Sequence, residues 1–502
     1  MTDTKNSKTQ QRPNLFQALI PIFFLISFLA LNIWIWGDES LEGPNQLALL
    51  IGTTIAGLIA SRLGVSVARI SKYIIQNISD AMPSILILLL IGTLAGTWMI
   101  SGVVPMLIVY GLDLLNPTIF LFATVLISAI ISLATGSSWS TIATIGVALL
   151  GIGTAMGFNQ GMVAGAIISG AYFGDKLSPL SDTTNLAPAM AGTDLFTHIK
   201  YMLYTTTPTL IITLIIFLAL GFMHTSDLET AGIENIRTAI ESKFNITPWL
   251  LFVPAILIFV IVRKVSPIVA LLIGSLAASV FAVAFQSDLI STMAEDGNSF
   301  MLTAYIEIAQ SWFGSYEIIT GNQVVDNLLS TGGMAGMLNT VWLIIIAMAF
   351  SGAMESAGLL VRIAEAIISK AHSTGSLVLS TVATSIFMNI TASEQYISIV
   401  VPGRMFAKVF RQRRLKPELL SRSLEDGGTV TSVLVPWNTC GAVNSSVLGV
   451  ATMSYLPYAF FNLISPLMSI FFAYMNIKIR KYTDEEFEEL TAIERDQEVL
   501  GV

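Results

Sequence analysis

Residues 170–188 read Gly-Ala-Tyr-Phe-Gly-Asp-Lys-Leu-Ser-Pro-Leu-Ser-Asp-Thr-Thr-Asn-Leu-Ala-Pro, a polar run inside a segment that is apolar from Gly161 onward. Pro179 and Pro188 lack the backbone N–H that a regular helix needs. A broken helix is tolerated in lipid only where it is buried in protein or lines a watery cavity. Carboxylates such as Asp175 and Asp182 are costly there and commonly bind or relay ions. This run therefore predicts a transporter of a cation.

The composition places the chain in a membrane. Hydrophobic residues make up 54% of the 502 residues and charged residues only 12%, about half of the charged share of a soluble domain. Several apolar runs reach the ~20 residues that cross a bilayer. The first of them, Leu15–Trp36, is longer than the apolar core of a signal peptide, so we keep it as a span. We therefore predict an all-α polytopic membrane protein.

Several other functional classes are disfavoured by the motifs that the sequence lacks. There is no Gly-x4-Gly-Lys-Ser/Thr pattern, which argues against ATP hydrolysis by this chain, and no His-Glu-x-x-His zinc pattern. The three histidines are scattered, and a single cysteine, Cys440, excludes an intrachain disulfide. We expect no enzyme activity, no cofactor and no nucleic-acid partner.

The sequence predicts two copies of one unit. Residues 82–103 align with residues 338–359 at an offset of 256, and polar and glycine residues elsewhere follow the same spacing. The matching pairs are Gly96 with Gly352, Gly102 with Gly358, Thr135 with Thr391, Ser137 with Ser393, Asp182 with Asn438, and Thr183 with Thr439. The second copy carries an insertion, which we place near residues 287–335.

Five membrane spans are predicted in each copy, about ten in all. The spans of the first copy are residues 15–36, 46–62, 82–100, 161–190 and 198–222. Those of the second copy are residues 248–264, 267–286, 338–358, 419–450 and 455–477. The fourth span of each copy is interrupted by polar residues and proline, which predicts a discontinuous helix at the midplane of the membrane.

Between the third and fourth spans, each copy has two apolar arms around a polar tip. The tips are residues 135–138, between arms 118–134 and 139–155, and residues 391–394, between arms 374–390 and 396–410. We predict a re-entrant hairpin at each. The chain then divides into a cytoplasmic tail, a first repeat, an external linker, a second repeat and an acidic cytoplasmic tail, at residues 1–14, 15–222, 223–247, 248–477 and 478–502.

The basic residues predict the orientation of the chain. Lys and Arg near the ends of spans face the cytoplasm. With five spans per copy, only Arg237 and Lys243 of the 25 basic residues fall clearly outside. An odd number of spans inverts the second copy relative to the first, and inverted repeats with paired broken helices place the binding site near the midplane. We expect a bacterial plasma (inner) membrane protein with both termini in the cytoplasm.

The tips and the breaks offer oxygen ligands for a hard cation such as sodium, because side-chain hydroxyls and unwound backbone both supply them. A buried carboxylate favours a proton and a nearby cation favours the ionised form, so one group can exchange the two. The candidate ion-binding residues are Thr135, Ser137, Ser138, Asp175, Asp182, Thr183, Asn185, Thr391, Ser393, Glu394, Asn438 and Thr439. Sodium itself is expected at Ser137, Asp182, Thr183 and Asn185.

Each of these features has a structural alternative. The first tip is a polar turn outside the membrane if its two arms are full spans. Asp175 pairs with the adjacent Lys176 if both lie at the cytoplasmic mouth. Glu394 is a cytoplasmic helix cap if it pairs with a neighbour such as Arg404. His198 is expected to be a solvated residue at a helix end.

Four stretches of the sequence resemble the NhaC family of sodium/proton antiporters. The most specific runs from Ser169 to Pro188 and contains the core Asp-Lys-x-Ser-Pro-x-Ser-Asp-Thr-Thr-Asn. The others begin with Thr-Gly-Ser-Ser-Trp-Ser at Thr135, Ala-Gly-Thr-Asp-Leu-Phe-Thr-His at Ala191, and Glu-Gln-Tyr-Ile at Glu394. The resemblance covers most of the chain.

The resemblance implies a member of the ion transporter superfamily, with inverted repeats, two re-entrant hairpins and elevator-type alternating access. Members of that superfamily are often homodimers. The expected activity is exchange of cytoplasmic sodium for external protons. The alternative is a sodium- and proton-coupled organic-anion exchanger of the malate/lactate type, with a small carboxylate as a further substrate. An ion channel and an intramembrane hydrolase are weaker alternatives, because neither a charged pore ring nor a nucleophile–base pair is evident.

Overall fold

The structure of the chain is a computed structural model that describes residues 11–224, 230–294, 298–369 and 371–489. Residues 1–10 and 490–502 of the two predicted tails lie outside the described residues. So do residues 225–229 of the predicted linker and residues 295–297 of the predicted insertion.

The first half of the chain folds as helices joined by short connections. They are α1 (Leu15–Trp36), α2 (Pro44–Arg62), α3 (Val67–Ile100), α4 (Val103–Leu114), α5 (Pro117–Thr135), α6 (Ser138–Thr141), α7 (Val147–Ala155), α8 (Gln160–Leu177), α9 (Asp182–Ala191) and α10 (Leu195–Met223). A π-helical turn, Ile142–Gly146, joins α6 to α7, and a 3₁₀ turn, Gly37–Glu42, follows α1.

The middle of the chain begins with a helix outside the predicted spans and ends in the insertion. Its helices are α11 (Thr230–Glu241), α12 (Phe252–Val262), α13 (Pro267–Phe285), α14 (Ser287–Thr292), α15 (Phe300–Phe313), α16 (Gln323–Leu328) and α17 (Gly333–Gly336), with a 3₁₀ turn, Pro248–Leu251, before α12. Two short antiparallel strands, β1 (Tyr316–Glu317) and β2 (Ser330–Thr331), pair Tyr316 with Thr331.

The last third of the chain is again helical. Its helices are α18 (Leu338–Ser356), α19 (Leu359–Ile368), α20 (Thr374–Thr391), α21 (Gln395–Gln412), α22 (Pro417–Leu424), α23 (Val430–Ser432), α24 (Thr439–Leu448), α25 (Thr452–Tyr455) and α26 (Phe460–Tyr474). A second π-helical turn, Glu425–Thr429, joins α22 to α23, and a 3₁₀ turn, Leu456–Tyr458, follows α25.

Long apolar helices confirm the predicted class. Among the described residues, nine helices are long and apolar enough to cross a membrane, or ten if the bent pair Thr452–Tyr458 and Phe460–Tyr474 forms one span. The chain is therefore an all-α polytopic membrane protein. The third span is longer than predicted: α3 starts at Val67, because the side chain of Ser66 caps it by accepting the backbone N–H of Arg69.

Two helices are interrupted where the sequence predicts breaks. The chain leaves helical geometry between α8 and α9, at residues 178–181, and again before α24, at residues 433–438. Each second half begins with a side-chain cap, from Ser181 in α9 and Asn438 in α24. Each ends at a left-handed glycine, Gly192 with φ of 86° and Gly449 with φ of 64°.

The bounds of the elements recur along the chain. The helices α8 and α22 begin at Gln160 and Pro417, and α9 and α24 begin at Asp182 and Thr439, each 257 residues apart. This spacing is one residue longer than the offset of the sequence alignment, so Asp182 is matched by Thr439 rather than by Asn438. The recurrence favours two repeats. Their inversion, the re-entry of the hairpins and the division into residues 15–222 and 248–477 stay predictions.

The helix α8 packs very closely against α5, because glycine faces it. A Cβ atom added at Gly170 would lie 2.2 Å from the carbonyl oxygen of Val125, and one added at Gly174 would lie 2.4 Å from that of Ala129. Small residues let membrane helices approach to backbone contact. This seam between α5 and α8 places Asp175, the residue after Gly174, beside the tip at which α5 ends.

The insertion packs against the helical body. A Cβ atom added at Gly96 in α3 would lie 1.8 Å from the carbonyl oxygen of Ser311 in α15. The indole N–H of Trp312 donates to the hydroxyl of Ser279 in α13 at 2.9 Å. The helix α15 therefore lies against α3 and α13.

The close seam predicts a strong effect of side-chain size. Gly170→Val should destabilise the protein by about 1–3 kcal/mol, the usual range for overpacking, because its Cβ would overlap the Val125 carbonyl. Thermal unfolding in detergent, followed by size-exclusion chromatography, measures the loss. Gly57→Ala is the matched control, because nothing lies within 4 Å of its added Cβ. Equal stability of the two variants would contradict the described packing.

The inverted repeat predicts opposite faces for the two hairpins. Single cysteines at Leu114, just before α5, and at His372, just before α20, should react with an impermeant maleimide from outside and from inside, respectively. Both positions are exposed, and the native Cys440 is buried, so the parent protein serves as the unlabelled control. Labelling of both cysteines from one side of intact cells would eliminate the inversion.

Candidate functional site

The first hairpin tip contacts the broken helix through Asp175. The chain turns at Gly136, whose φ of 70° is left-handed, and Ser137 caps α6 by accepting the backbone N–H of Ser140 at 3.2 Å. The next residue, Ser138, donates its backbone N–H and its hydroxyl to one oxygen of the Asp175 carboxylate, at 3.2 and 2.7 Å. The tip therefore holds Asp175 in one orientation.

The second oxygen of Asp175 is left available. Asp175 is only 6% exposed, and its Oδ1 atom has no hydrogen-bond partner of full geometry among the described residues, with the hydroxyl of Ser181 the protein group near the carboxylate besides Ser138. A buried carboxylate oxygen without a partner is costly unless a proton or a cation neutralises the group. This oxygen is therefore suited to a ligand that the protein itself does not supply.

A cavity of about 460 Å³ reaches the same region from the face predicted to be cytoplasmic. Its polar lining includes Thr135, Ser137, Ser140, Asp182, Asn185 and, at the rim, Lys264. Asp182 is exposed to this cavity at the first position of α9, where its Oδ1 atom accepts the backbone N–H of Thr183 at 2.8 Å. Four of the predicted residues of the first copy, Thr135, Ser137, Asp182 and Asn185, therefore line one polar space.

Two residues at the first break have mainly structural bonds. The amide of Asn185 donates to the carbonyl oxygens of Pro179 and Ser181, at 3.1 and 2.6 Å, which ties the unwound segment to α9. The hydroxyl of Thr183 lies 3.2 Å from that of Ser181, and Thr183 is buried away from the cavity lining. Asn185 also lines the cavity, whereas Thr183 supports the helix cap.

The second tip and the second break also meet. Ser393 has a left-handed φ of 57°, and its carbonyl oxygen accepts the backbone N–H of Thr439 at 3.0 Å. Glu394 caps α21 by accepting the backbone N–H of Tyr396, and it accepts the hydroxyl of Thr439 at 2.7 Å. The acid therefore sits on the tip in this copy, whereas in the first copy it sits on the broken helix.

The remaining two predicted residues of the second copy bond within the scaffold. The amide of Asn438 donates to the backbone and side-chain oxygens of Asn389, both at 3.1 Å. The hydroxyl of Thr391 donates to the carbonyl oxygen of Phe387, one turn earlier in α20, at 2.8 Å. Both residues shape the second tip rather than facing the cavity.

A tyrosine that the sequence analysis did not select joins the two copies. The hydroxyl of Tyr396 in α21 donates to Asp182 in α9. Asp182 also acts electrostatically on Asp175 and on Glu394. Three carboxyl groups in one polar region repel one another when all are ionised, so a cation or a proton stabilises the cluster. The position of Tyr396, two residues after Glu394, was the available signal.

The contacts of Lys176, Glu394 and His198 bear on three of the structural alternatives. Lys176 does not pair with Asp175: its ammonium donates to Asp426, and both side chains are fully buried. Glu394 contacts Thr439 and the backbone of Tyr396 rather than Arg404. The expectation of a solvated His198 was wrong, because its side chain is buried and its Nδ1 atom lies 2.7 Å from the Ser421 hydroxyl.

The chain matches known antiporters over most of its length. The model described as the Na+/H+ antiporter family matches residues 170–477. A relative from Alkalihalophilus pseudofirmus, named Na(+)/H(+) antiporter NhaC, is 37% identical over 441 residues, which cover 88% of this chain and 92% of the relative.

Two relatives from Bacillus subtilis carry different names. The malate-2H(+)/Na(+)-lactate antiporter is 36% identical over 471 residues, covering 93% of this chain and 96% of the relative. The Na(+)/H(+) antiporter NhaC of that organism is 35% identical over 435 residues, covering 86% and 92%. With a family model over more than half of the chain and such relatives over most of it, this chain belongs to the Na+/H+ antiporter family.

Proposed function

We propose that the protein is a secondary antiporter that exchanges sodium ions for protons across a bacterial plasma membrane. The observation that carries the proposal is the carboxylate of Asp175, which the hairpin tip holds by one oxygen while the other oxygen has no partner in the described chain. The names of two relatives, at 37% and 35% identity, support the same activity. Transported sodium and protons are substrates here, and both termini are proposed to be cytoplasmic.

Sodium would enter from the cavity and bind between the tip and the broken helix. Ser137, Asp182 and Asn185 line that cavity, and Asp175 lies behind it. Their hydroxyl, carboxylate and amide oxygens are the hard ligands that sodium takes, and bare carbonyl oxygens at a broken helix complete such sites. Thr183 acts through the cap that it shares with Ser181 and so keeps the first turn of α9 in place.

The charges of Asp175 and Asp182 favour coupled exchange over uncoupled leakage of sodium or protons. An empty site would carry the uncompensated charges of Asp175 and Asp182 through a low-dielectric region, which is unfavourable. Sodium neutralises part of that charge, and protons do the same in its absence. The site would therefore cross between its two orientations only when loaded. Alternating access of the elevator type and a homodimeric assembly remain part of the proposal.

Sodium- and proton-coupled exchange of organic anions is the second candidate, because one relative at 36% identity is named a malate/lactate antiporter. A dicarboxylate needs positive charge, and the cavity has Lys264 only at its rim. Lys176 is already bonded to Asp426, whereas Asp175, Asp182 and Glu394 add negative charge. Helix N-termini supply only about +0.5 of a charge each. The balance of charge favours a bare cation.

The charge balance predicts that sodium gradients move protons without any organic anion. We would load proteoliposomes with a pH-sensitive dye and sodium chloride, without any carboxylate buffer. The pH of their interior should change when a sodium gradient is imposed, with protons moving opposite to sodium. Protein-free vesicles are the control. If the signal appears only after malate, lactate or a similar acid is added, the organic-anion exchanger is the better description.

Removal of the charge on Asp182 should abolish sodium-coupled transport. The Asp182→Asn variant keeps the shape of the side chain, but a charge about 4 Å from the ion is worth about 4 kcal/mol at an effective dielectric constant of ~20. We expect the sodium affinity to fall by more than about 100-fold. Uptake of radioactive sodium and the elution profile in detergent measure function and folding.

Asp194→Asn is the matched control for this substitution. Asp194 caps α10 by accepting the backbone N–H of Thr197 at 2.9 Å, and asparagine caps a helix equally well. The control should transport sodium at the rate of the unsubstituted protein. Near-normal sodium/proton exchange by Asp182→Asn would remove Asp182 from the mechanism.

A further inference from the structure

A second group of buried charges lies outside the sodium site described above. Lys176, Glu425 and Asp426 are all fully buried, and the last two residues begin the π-helical turn Glu425–Thr429. Lys176 donates to Asp426 and to the hydroxyl of Ser465, the latter at 3.1 Å, and Ser465 also donates to Asp426. These hydrogen bonds provide partners for Lys176 and for one oxygen of Asp426. None of them involves Glu425.

The carboxyl group of Glu425 has no partner in the described part of the chain. Neither of its oxygens accepts a hydrogen bond there. The hydroxyl of Thr429, one turn later, lies close enough to interact with the carboxyl, but the two groups do not meet the full geometry of a hydrogen bond. π-helical turns inside α-helices are frequent at functional sites. A buried acid left without a bond is not explained by stability.

In the part of the chain that the structure describes, no cation is bonded to Glu425; Arg422, three residues earlier, has no hydrogen-bond partner either, and its charge acts on Tyr201 and Asp426. Arg422 is fully buried and points its guanidinium at the ring of Tyr201, 4.6 Å from the centroid. The amide of Asn389 in α20 donates to the carbonyl oxygen of Gly428 in the turn at 2.7 Å. The other charged and polar side chains near the turn are Asp175 and Lys176 from α8, Asp182 from α9, Ser385 from α20, Gln395 and Ser398 from α21, Arg422 from α22, and Asn462 and Ser465 from α26, with His198 from α10 bonded to Ser421. The helix α20, which also packs on the turn, has no charged residue.

An uncompensated charge at this depth is strongly unfavourable, and a proton removes it. Glu425 therefore holds a proton unless positive charge arrives nearby. Among the groups that act on it electrostatically are Lys176, Asp175 and Asp426. Since Lys176 is committed to Asp426, the positive charge that can come and go is an ion bound beside Asp175.

The chain connects the two sites directly. Asp175 and Lys176 are adjacent on α8, Glu425 and Asp426 are adjacent on the turn, and the ion pair between Lys176 and Asp426 joins them. A change of charge at Asp175 is therefore felt at Glu425 through a short, buried path.

We propose that Glu425 carries the exchanged proton, at a position separate from the sodium ligands around Asp175 and Asp182. The inference rests on the proposed sodium/proton exchange. Sodium bound beside Asp175 stabilises the ionised form of Glu425, which releases one proton to water, and departure of sodium lets Glu425 take up one proton. Each ligand weakens the binding of the other by the same factor, as linkage requires.

The test compares Glu425→Gln with the unsubstituted protein in proteoliposomes. Glutamine resembles the protonated acid and cannot ionise. We expect this variant to keep exchange of radioactive sodium for sodium and to lose sodium-driven proton movement. The slope of log Kd for sodium against pH should fall by about one, the change expected for loss of one linked proton. The matched control is Glu365→Gln, in α19, whose carboxylate pairs with Arg12 and Arg362 near the surface.

Each result of this test either supports or overturns the role of Glu425 as the proton carrier. Sodium-driven proton movement with an unchanged slope in Glu425→Gln would overturn the proposal. So would loss of sodium-for-sodium exchange in a folded variant, because Glu425 would then belong to the sodium site. If Glu425→Gln does not fold, Glu425→Asp should keep proton coupling with a shifted midpoint of the pH profile, and an unshifted midpoint would reject the proton carrier. The unsubstituted protein separately tests the exchange itself: absence of proton movement there would reject the proposed function.

Discussion

The structure depends on one constraint: a helix that is interrupted inside lipid exposes backbone groups that only protein can satisfy. At the first break, the hydroxyl of Ser178 donates to the carbonyl oxygen of Leu133 at 2.8 Å, and the amide of Asn185 covers two further carbonyls. At the second break, the hydroxyl of Tyr455 donates to the carbonyl oxygen of Val433 at 2.7 Å. The partners come from the broken helix itself, from α25 and, at the second break, from the tip, where the carbonyl oxygen of Ser393 accepts the backbone N–H of Thr439 at 3.0 Å.

This constraint separates the polar residues that hold the breaks from those that can bind an ion. Three predicted residues use their side chains for hydrogen bonds within the scaffold: Asn438, Thr391 and Thr183. Asp175 differs, because the tip satisfies one of its oxygens and nothing in the described chain satisfies the other. A polar residue in a membrane break is therefore not by itself a ligand. A candidate ligand is instead a residue whose side chain still has an unpartnered polar atom once the backbone groups of the break are hydrogen-bonded.

Local features of the sequence predicted the class of the fold and pointed to four residues that line one cavity, Thr135, Ser137, Asp182 and Asn185. The lengths of apolar runs predicted the spans, and polar residues with proline predicted the breaks, since both signals act within a few residues. The contacts between the two predicted repeats could not be predicted from local features, because they join residues far apart in the sequence. The ion pair of Lys176 with Asp426 spans 250 residues, and the hydrogen bond from Tyr396 to Asp182 spans 214. Burial of His198 likewise depends on α22 packing on α10, which no local pattern encodes.

The glycine seam between α5 and α8 has a mechanical consequence. No side chain separates Gly170 from the carbonyl of Val125, or Gly174 from that of Ala129. The backbones of the two helices are therefore in direct contact along the seam. A hinge that lifted the tip off Asp175 would have to shear backbone against backbone along this seam. The seam therefore disfavours flexing of the hairpin alone, and a movement of α5 would carry α8 with it.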